Sequence, residues 1–393
     1  MRKKLFYLCA ALFALSSCTN EIIEEGFVDK SNAISFNSSA PKTRATYTDG
    51  DITDTDALKN GNFGVVGYSN DKLYLGATTK AAEQTYDAGD YWKYANDDEI
   101  RYWPNNNMDF YAYFPFSASG AVFANSLPAD NSTSVMTITN NSGNQDVLFA
   151  STLDQDRVDR VNMQFHHAFS KIQGIEIQIQ NKDVTVKVQK IEVINTSTKG
   201  KVLVDRDGNA KYKDGLKARV FDFSAAPVTI TESDTYNSGH TNQFKTLVEN
   251  THNGYIFATN SAKENNVTGT GTPLWDGTNA GWGEGKTLED LGQVCLKLTC
   301  KVTTPKTGGV NYHVGSASTY GVMYIPISGS KATATSPSGA DTTPLLAGKR
   351  YTYKIIMKEN VGFDVNGNAI LLPILFQSTT VDSWEDVTVT ITL

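Results

Sequence analysis

The chain has 393 residues, long enough for two or three domains and a sizeable buried core. Apolar residues make up 40% and charged residues 20%, the balance of an ordinary globular protein. The net charge of −7 argues against a basic nucleic-acid surface, and past the N-terminus no apolar run is long enough to span a bilayer as a helix.

Arg2, Lys3 and Lys4 form a basic start, Leu5 to Leu15 is the apolar run LFYLCAALFAL, and LSSC follows. The run is too short for a stable transmembrane helix and reads as a secretory signal. A small-residue ending on Cys18 resembles the lipobox of bacterial lipoproteins. That resemblance implies a signal peptide over 1–17, removed before Cys18, and acyl chains on the new N-terminal cysteine. Each methylene buried in a membrane contributes roughly 0.8 kcal/mol, so the acylated cysteine acts as an anchor. Glu21, Glu24 and Glu25 follow, and acidic residues there resemble the surface-export signal of Bacteroidales lipoproteins.

Residues 19–45 are mostly small and polar, with one strand-like patch in which Ile34 and Phe36 alternate. The segment SSAPKTRAT has the composition of an exposed loop and offers Arg44–Ala45 to a trypsin-like protease. From residue 46 onward the pattern is almost wholly β. Apolar alternation or runs mark 63–68, 108–116, 132–139, 171–180, 184–194, 295–302, 321–328, 350–358 and 369–376. Asp207-Gly208 and Asn366-Gly367 are hairpin signals, and helical periodicity is confined to a turn or two near 287–294. Many short strands with Gly, Asn and Ser turns predict an all-β chain of two antiparallel β-sandwich domains. The polar stretch at 151–160 is taken as their boundary, giving domains over 45–158 and 159–393, and 260–286 is read as a surface loop.

Few residues suggest chemistry. The run from Tyr91 to Phe116 is crowded with aromatics. Exposed, rings such as Trp92 and Trp103 would stack on sugars. Packed, Phe110, Ala112 and Phe114 form the inward face of a core strand with Tyr111 and Tyr113 outside, which is the reading the alternation favours. His166 and His167 are adjacent, so in a strand they face opposite ways, one buried and one exposed, and cannot share a metal without ligands from elsewhere. Asp205, Asp207 and Asn209 open like a calcium loop, but Ala210 and Leu216 stand where glycine and glutamate are required, so the segment reads as a turn. GTGTP at 269–273 fails the dinucleotide fingerprint. Cys295 and Cys300 lie five residues apart in one candidate strand, about 17 Å, too far to bridge. No enzyme, cofactor or metal site is expected.

The chain ends on DVTVTITL, where Val387, Val389, Ile391 and Leu393 share one face of a strand and Thr388, Thr390 and Thr392 the other. This stretch is either the last strand of its own sheet or a strand given to another molecule.

The lipobox, the TRAT loop, YWPNNNMDFYAYFP, DVLFA (146–150), FHHAFSKI (165–172), LLAGKRYTYKI (345–355) and WEDVTVTITL occur in an order similar to that of the fimbrillin family. These are the pilins and minor subunits of the type V pili of Bacteroidales. The resemblance implies two transthyretin-like β-sandwiches after a lipidated pro-segment, 18–44. It implies export through the periplasm to the outer membrane, anchoring there by lipid, and cleavage between Arg44 and Ala45 by an arginine-specific protease. Loss of the first strand, around Ile34 and Phe36, then opens a groove. The donor strand of a neighbour, Val387, Val389, Ile391 and Leu393 in this chain, fills it. Partners implied are other pilus subunits, self or related, and a host surface receptor or glycan, with no nucleic acid. The alternative is a permanently lipid-anchored surface protein that binds glycan.

Overall fold

The computed structural model describes residues 32–40, 55–87, 91–117, 120–140, 145–181, 183–194, 196, 198–214, 219–235, 243–249, 255–257, 294–327, 347–357, 375–379 and 385–392. The chain divides into Met1–Ala33 and Ile34–Leu393, and the fold is that of the second unit. Nearly all its described elements are strands, as the alternation predicts.

The first eleven strands are β1 (Phe36–Ser39), β2 (Phe63–Ser69), β3 (Lys72–Leu75), β4 (Ala82–Asp87), β5 (Tyr91–Tyr94), β6 (Met108–Phe114), β7 (Val122–Phe123), β8 (Met136–Asn140), β9 (Leu148–Gln155), β10 (Val161–Gln164) and β11 (His166–His167). A four-residue helix, α1 (Thr55–Leu58), precedes β2. The main sheet runs β11-β9-β6-β2-β4-β5, with β3 paired to β2.

Both faces of this sheet are covered. Val65, Phe110 and Ala112 pack with Ile34, Phe36, Val161 and Met163 on one side. Val66, Tyr111 and Tyr113 pack with Met136, Ile138, Val202 and Val204 on the other. The sequence expectation that Tyr111 and Tyr113 lie outside is therefore wrong: they are 0% and 4% exposed. A doubly covered sheet buries both sets of an alternating strand, and the period alone does not show this. Gly64 makes room for the second core, because a Cβ there would meet the Tyr113 ring at 2.5 Å.

The second core is closed by distant residues. β12 (Phe169–Ile179) and β13 (Thr185–Ile194) are followed by β14 (Gly200–Val204) and β15 (Ala210–Asp214). β14 pairs with β8, so residues near 200 complete a sheet begun near 136. The β14–β15 turn is the predicted Asp207-Gly208 hairpin. Gly208 has φ +79, and Asp205 Oδ1 accepts from the amides of Asp207 and Asn209 at 3.1 and 2.9 Å. That carboxylate is spent on the turn.

The remaining strands are β16 (Arg219–Asp222), β17 (Val228–Thr231), β18 (Lys245–Glu249), β19 (Tyr255–Phe257), β20 (Cys295–Lys306), β21 (Gly309–Val314), β22 (Gly321–Pro326), β23 (Lys349–Met357), β24 (Leu375–Thr379) and β25 (Glu385–Thr392). One sheet runs β18-β12-β23-β25-β24 and a second β16-β13-β20-β21. Ile175, Ile177, Tyr353 and Ile355 of the first pack with Val186, Val188, Leu298 and Cys300 of the second in a sandwich core. Cys295 and Cys300 are buried and unbridged. Most pairings are antiparallel, but among the described strands β1–β10, β12–β23 and β23–β25 are parallel. The Asn366-Gly367 hairpin, the 260–286 loop and the 287–293 turn lie outside the described residues.

Candidate functional site

β1 lies in an apolar groove. Ile34 and Phe36 alternate toward the core and are fully buried, while Asn37 between Phe36 and Ser38 is exposed. The strand read from the sequence begins at Phe36, and Ile34 lies just before it. The Phe36 ring meets Phe63, Tyr94 and Phe110 with centroids 6.2, 6.4 and 5.5 Å apart, each edge-on. Such pairs contribute roughly 0.5–1.5 kcal/mol beyond their burial. Leu58, Val161, Met163 and Phe165 complete the walls. Phe63 is in turn wedged between Trp92 and Phe165, at 4.7 and 5.4 Å.

The main chain of β1 is held chiefly along one edge. It pairs in parallel with β10, Phe36 opposite Val161 and Ser38 opposite Met163. The amides of Val161 and Phe165 donate to the carbonyls of Ser35 and Ser39, each at 2.8 Å. On the N-terminal side, the Ile34 amide donates to the Arg101 carbonyl at 2.8 Å. Burying Ile34 and Phe36 stabilises by about 1.5–3 kcal/mol each, before the entropy of ordering the segment. The groove is uncharged, and burial pushes the Tyr94 hydroxyl well above its ordinary range, so it stays neutral.

The sequence-predicted residues are unevenly placed. Cys18, Arg44 and Ala45 lie outside the described residues. Ala40, the last described residue before Arg44, is still buried at 8%. The terminal stretch forms β25, which holds Val387, Val389 and Ile391 opposite Tyr351, Tyr353 and Ile355 of β23 in parallel register. Its other edge pairs with β24. The tail is thus an interior strand of its own chain's sheet. Leu393 lies outside the described residues.

Most of the aromatic run is packed inward, although Tyr91 is 37% exposed and Trp103 half-buried. Trp92 is 4% exposed, and Phe110, Tyr111, Tyr113 and Phe114 belong to the two cores. His167 is buried, its Nδ1 2.9 Å from Asp146 Oδ2, and His166 is exposed, the division expected of adjacent strand residues. Partial desolvation of the His166 ring by the groups packed near it, and then the neighbouring His167, lower its pKa from the ordinary value.

Sequence reasoning missed the outer wall of the groove. Val161, Met163 and Phe165 alternate in RVNMQFHH, but the run is short and follows directly on the stretch taken as a boundary. Leu58, Phe63 and Tyr94 come from three further segments that only the fold brings together.

A family model described as fimbrillin-like matches residues 43–384. A fimbrial protein from Bacteroides vulgatus is similar in structure, with 15% identity, 91% of this chain and 98% of that chain covered, and a TM-score of 0.43. A fimbrilin from Porphyromonas gingivalis is similar at 12% identity, with 92% and 97% covered and a TM-score of 0.36. No curated protein sequence matches the chain.

Proposed function

The chain belongs to the fimbrillin-like family, and on that premise we propose that it is a structural fimbrial subunit activated by loss of its leader strand. The precursor is exported and lipidated at Cys18, which anchors it in the outer membrane. An arginine-specific protease cuts between Arg44 and Ala45. Before the cut, β1 is tethered to its groove by the chain and has a high effective concentration there. After the cut it is a separate short strand, held by two large apolar side chains and a few hydrogen bonds. It leaves, and β10 and the rings around Phe36 are exposed. A strand from another subunit then adds to the free edge of β10 and fills the groove, a head-to-tail contact that propagates into a filament and supports adhesion at the cell surface.

Phe36 in its aromatic pocket carries this reading, because it makes the removable segment part of a core. The donor assigned from sequence is Val387, Val389, Ile391 and Leu393. Four such side chains entering a neighbour's groove contribute about 6–12 kcal/mol before entropy costs. Purified precursor treated with an arginine-specific protease is expected to give SDS-resistant ladders, and Arg44→Ala to give none. A treated protein that stays monomeric under every condition overturns the proposal.

The pairing of β25 on both edges favours a second reading, in which this subunit accepts a strand but keeps its own tail. It would then occupy one end of the filament. Trimmed protein alone would remain monomeric but would take up a strand from a related subunit.

A further inference from the structure

Gln84 lies in β4, and its side chain is completely buried. Neither its Nε2 nor its Oε1 has a hydrogen-bond partner among the described residues. The register places it between Phe63 of β2 and Tyr94 of β5 as their direct cross-strand neighbour. Directly opposed residues share a face, so the three side chains form one row toward the groove. Phe36 touches the rings at both ends of that row. The leader strand therefore sets an aromatic ring against the row that holds this carboxamide, which has two donors and an acceptor to satisfy.

Further atoms show the same mismatch, the hydroxyl of Tyr94 at one end of the row among them. Trp103 Nε1 is buried without a partner, and its ring is 5.9 Å from Phe110, another wall of the Phe36 pocket. On the leader itself, Ser38 Oγ is buried without a partner. Ser38 shares the inward face with Phe36 but sits one inward position further along. The leader thus carries a hydroxyl, at a register that leaves the amide unanswered. Buried polar groups are almost always paired, and an orphan costs free energy that a suitable partner recovers.

We propose that Gln84 selects the strand that replaces the leader, favouring a related subunit whose tail carries serine, threonine or asparagine at the inward position now taken by Phe36. This inference rests on the strand-exchange reading above. It separates partners by chemistry. The tail of this chain has only Val387, Val389, Ile391 and Leu393 on its apolar face. A second copy would bury four apolar side chains and leave Gln84 as the leader leaves it. A tail with one hydroxyl or amide on that face would pair with it. Specificity of this kind is strong because the wrong partner leaves a buried polar group unmet.

The test uses protein trimmed with an arginine-specific protease and labelled peptides of the tail sequence DSWEDVTVTITL. Threonine or asparagine replaces Val387, Val389 or Ile391 one at a time, and affinity is read by fluorescence anisotropy. One substituted position is expected to bind about tenfold tighter than the native tail, the effect of one recovered hydrogen bond. With Gln84→Met or Gln84→Leu protein, the same peptide should bind more weakly than the native tail. The untrimmed Gln84→Met precursor should melt at a higher temperature than wild type, which also reports that it folds. Peptides that bind with every substitution weakening affinity, equally in wild-type and variant protein, overturn the selection by Gln84 and leave strand exchange standing. No binding by any peptide removes strand exchange, and this inference with it.

Discussion

Phe36 is the side chain on which the leader strand depends. Its replacement by alanine forfeits contacts with three rings as well as its own burial, and Phe→Ala changes in cores typically cost 3–5 kcal/mol. Phe36→Ala precursor should therefore show a lower urea midpoint, read by tryptophan fluorescence because Trp92 sits against Phe63. An unchanged midpoint would mean that β1 is a bystander. Gly64→Ala should destabilise by about 1–3 kcal/mol, since its Cβ meets Tyr113 at 2.5 Å. Tyr113 also sets a pH dependence. Burial pushes its hydroxyl up to about 12 from the ordinary value of 10.0. The unfolded state thus loses its proton first, so stability is intact below pH 10 and falls as pH rises toward 12. Tyr113→Phe should flatten part of that fall in thermal melts between these limits, and an identical profile would contradict the burial argument. At this scale the sequence showed Phe36, through its alternation with Ile34. It did not show Gln84, because a glutamine in a half-polar run gives no sign of being buried.

Among the elements, β6, β12, β13, β20 and β23 were legible because long apolar alternation survives without knowledge of what covers the strand. The Asp207-Gly208 turn was legible because its chemistry is local: a left-handed glycine and an aspartate that bonds the next amides. Pairing was less so. β14 joins β8 although residues 141–199 lie between them, and nothing in either segment marks the other as its neighbour. The same holds for β10, whose short run became visible as an element only beside β1. The tail was legible as a strand, and its site was not. Held between β23 and β24, it is structural in the isolated chain. Deleting residues 387–393 should lower the melting temperature by several degrees, because both neighbours lose their ladder. No change would mean that the home pairing contributes little and that the tail is readily given away.

For the whole molecule, the arrangement separates two tasks. The sandwich of β12, β13, β20 and β23 buries a large apolar core that does not draw on the leader. The core around β2 and β6 does, since Ile34 and Phe36 come from before the proposed cleavage site at Arg44 and Val161 and Met163 from after it. On the proposed mechanism, cleavage opens one face of the core around β2 and β6 while the sandwich core remains intact. An occupied edge also protects the precursor from premature association. The most direct measurement is amide hydrogen exchange of the 161–165 segment in precursor, trimmed monomer and assembled protein. The account predicts protection, then fast exchange, then protection restored, with β13 and β20 protected throughout. If 161–165 stays protected after the leader is gone and no partner is bound, the groove never opens, and the account is wrong.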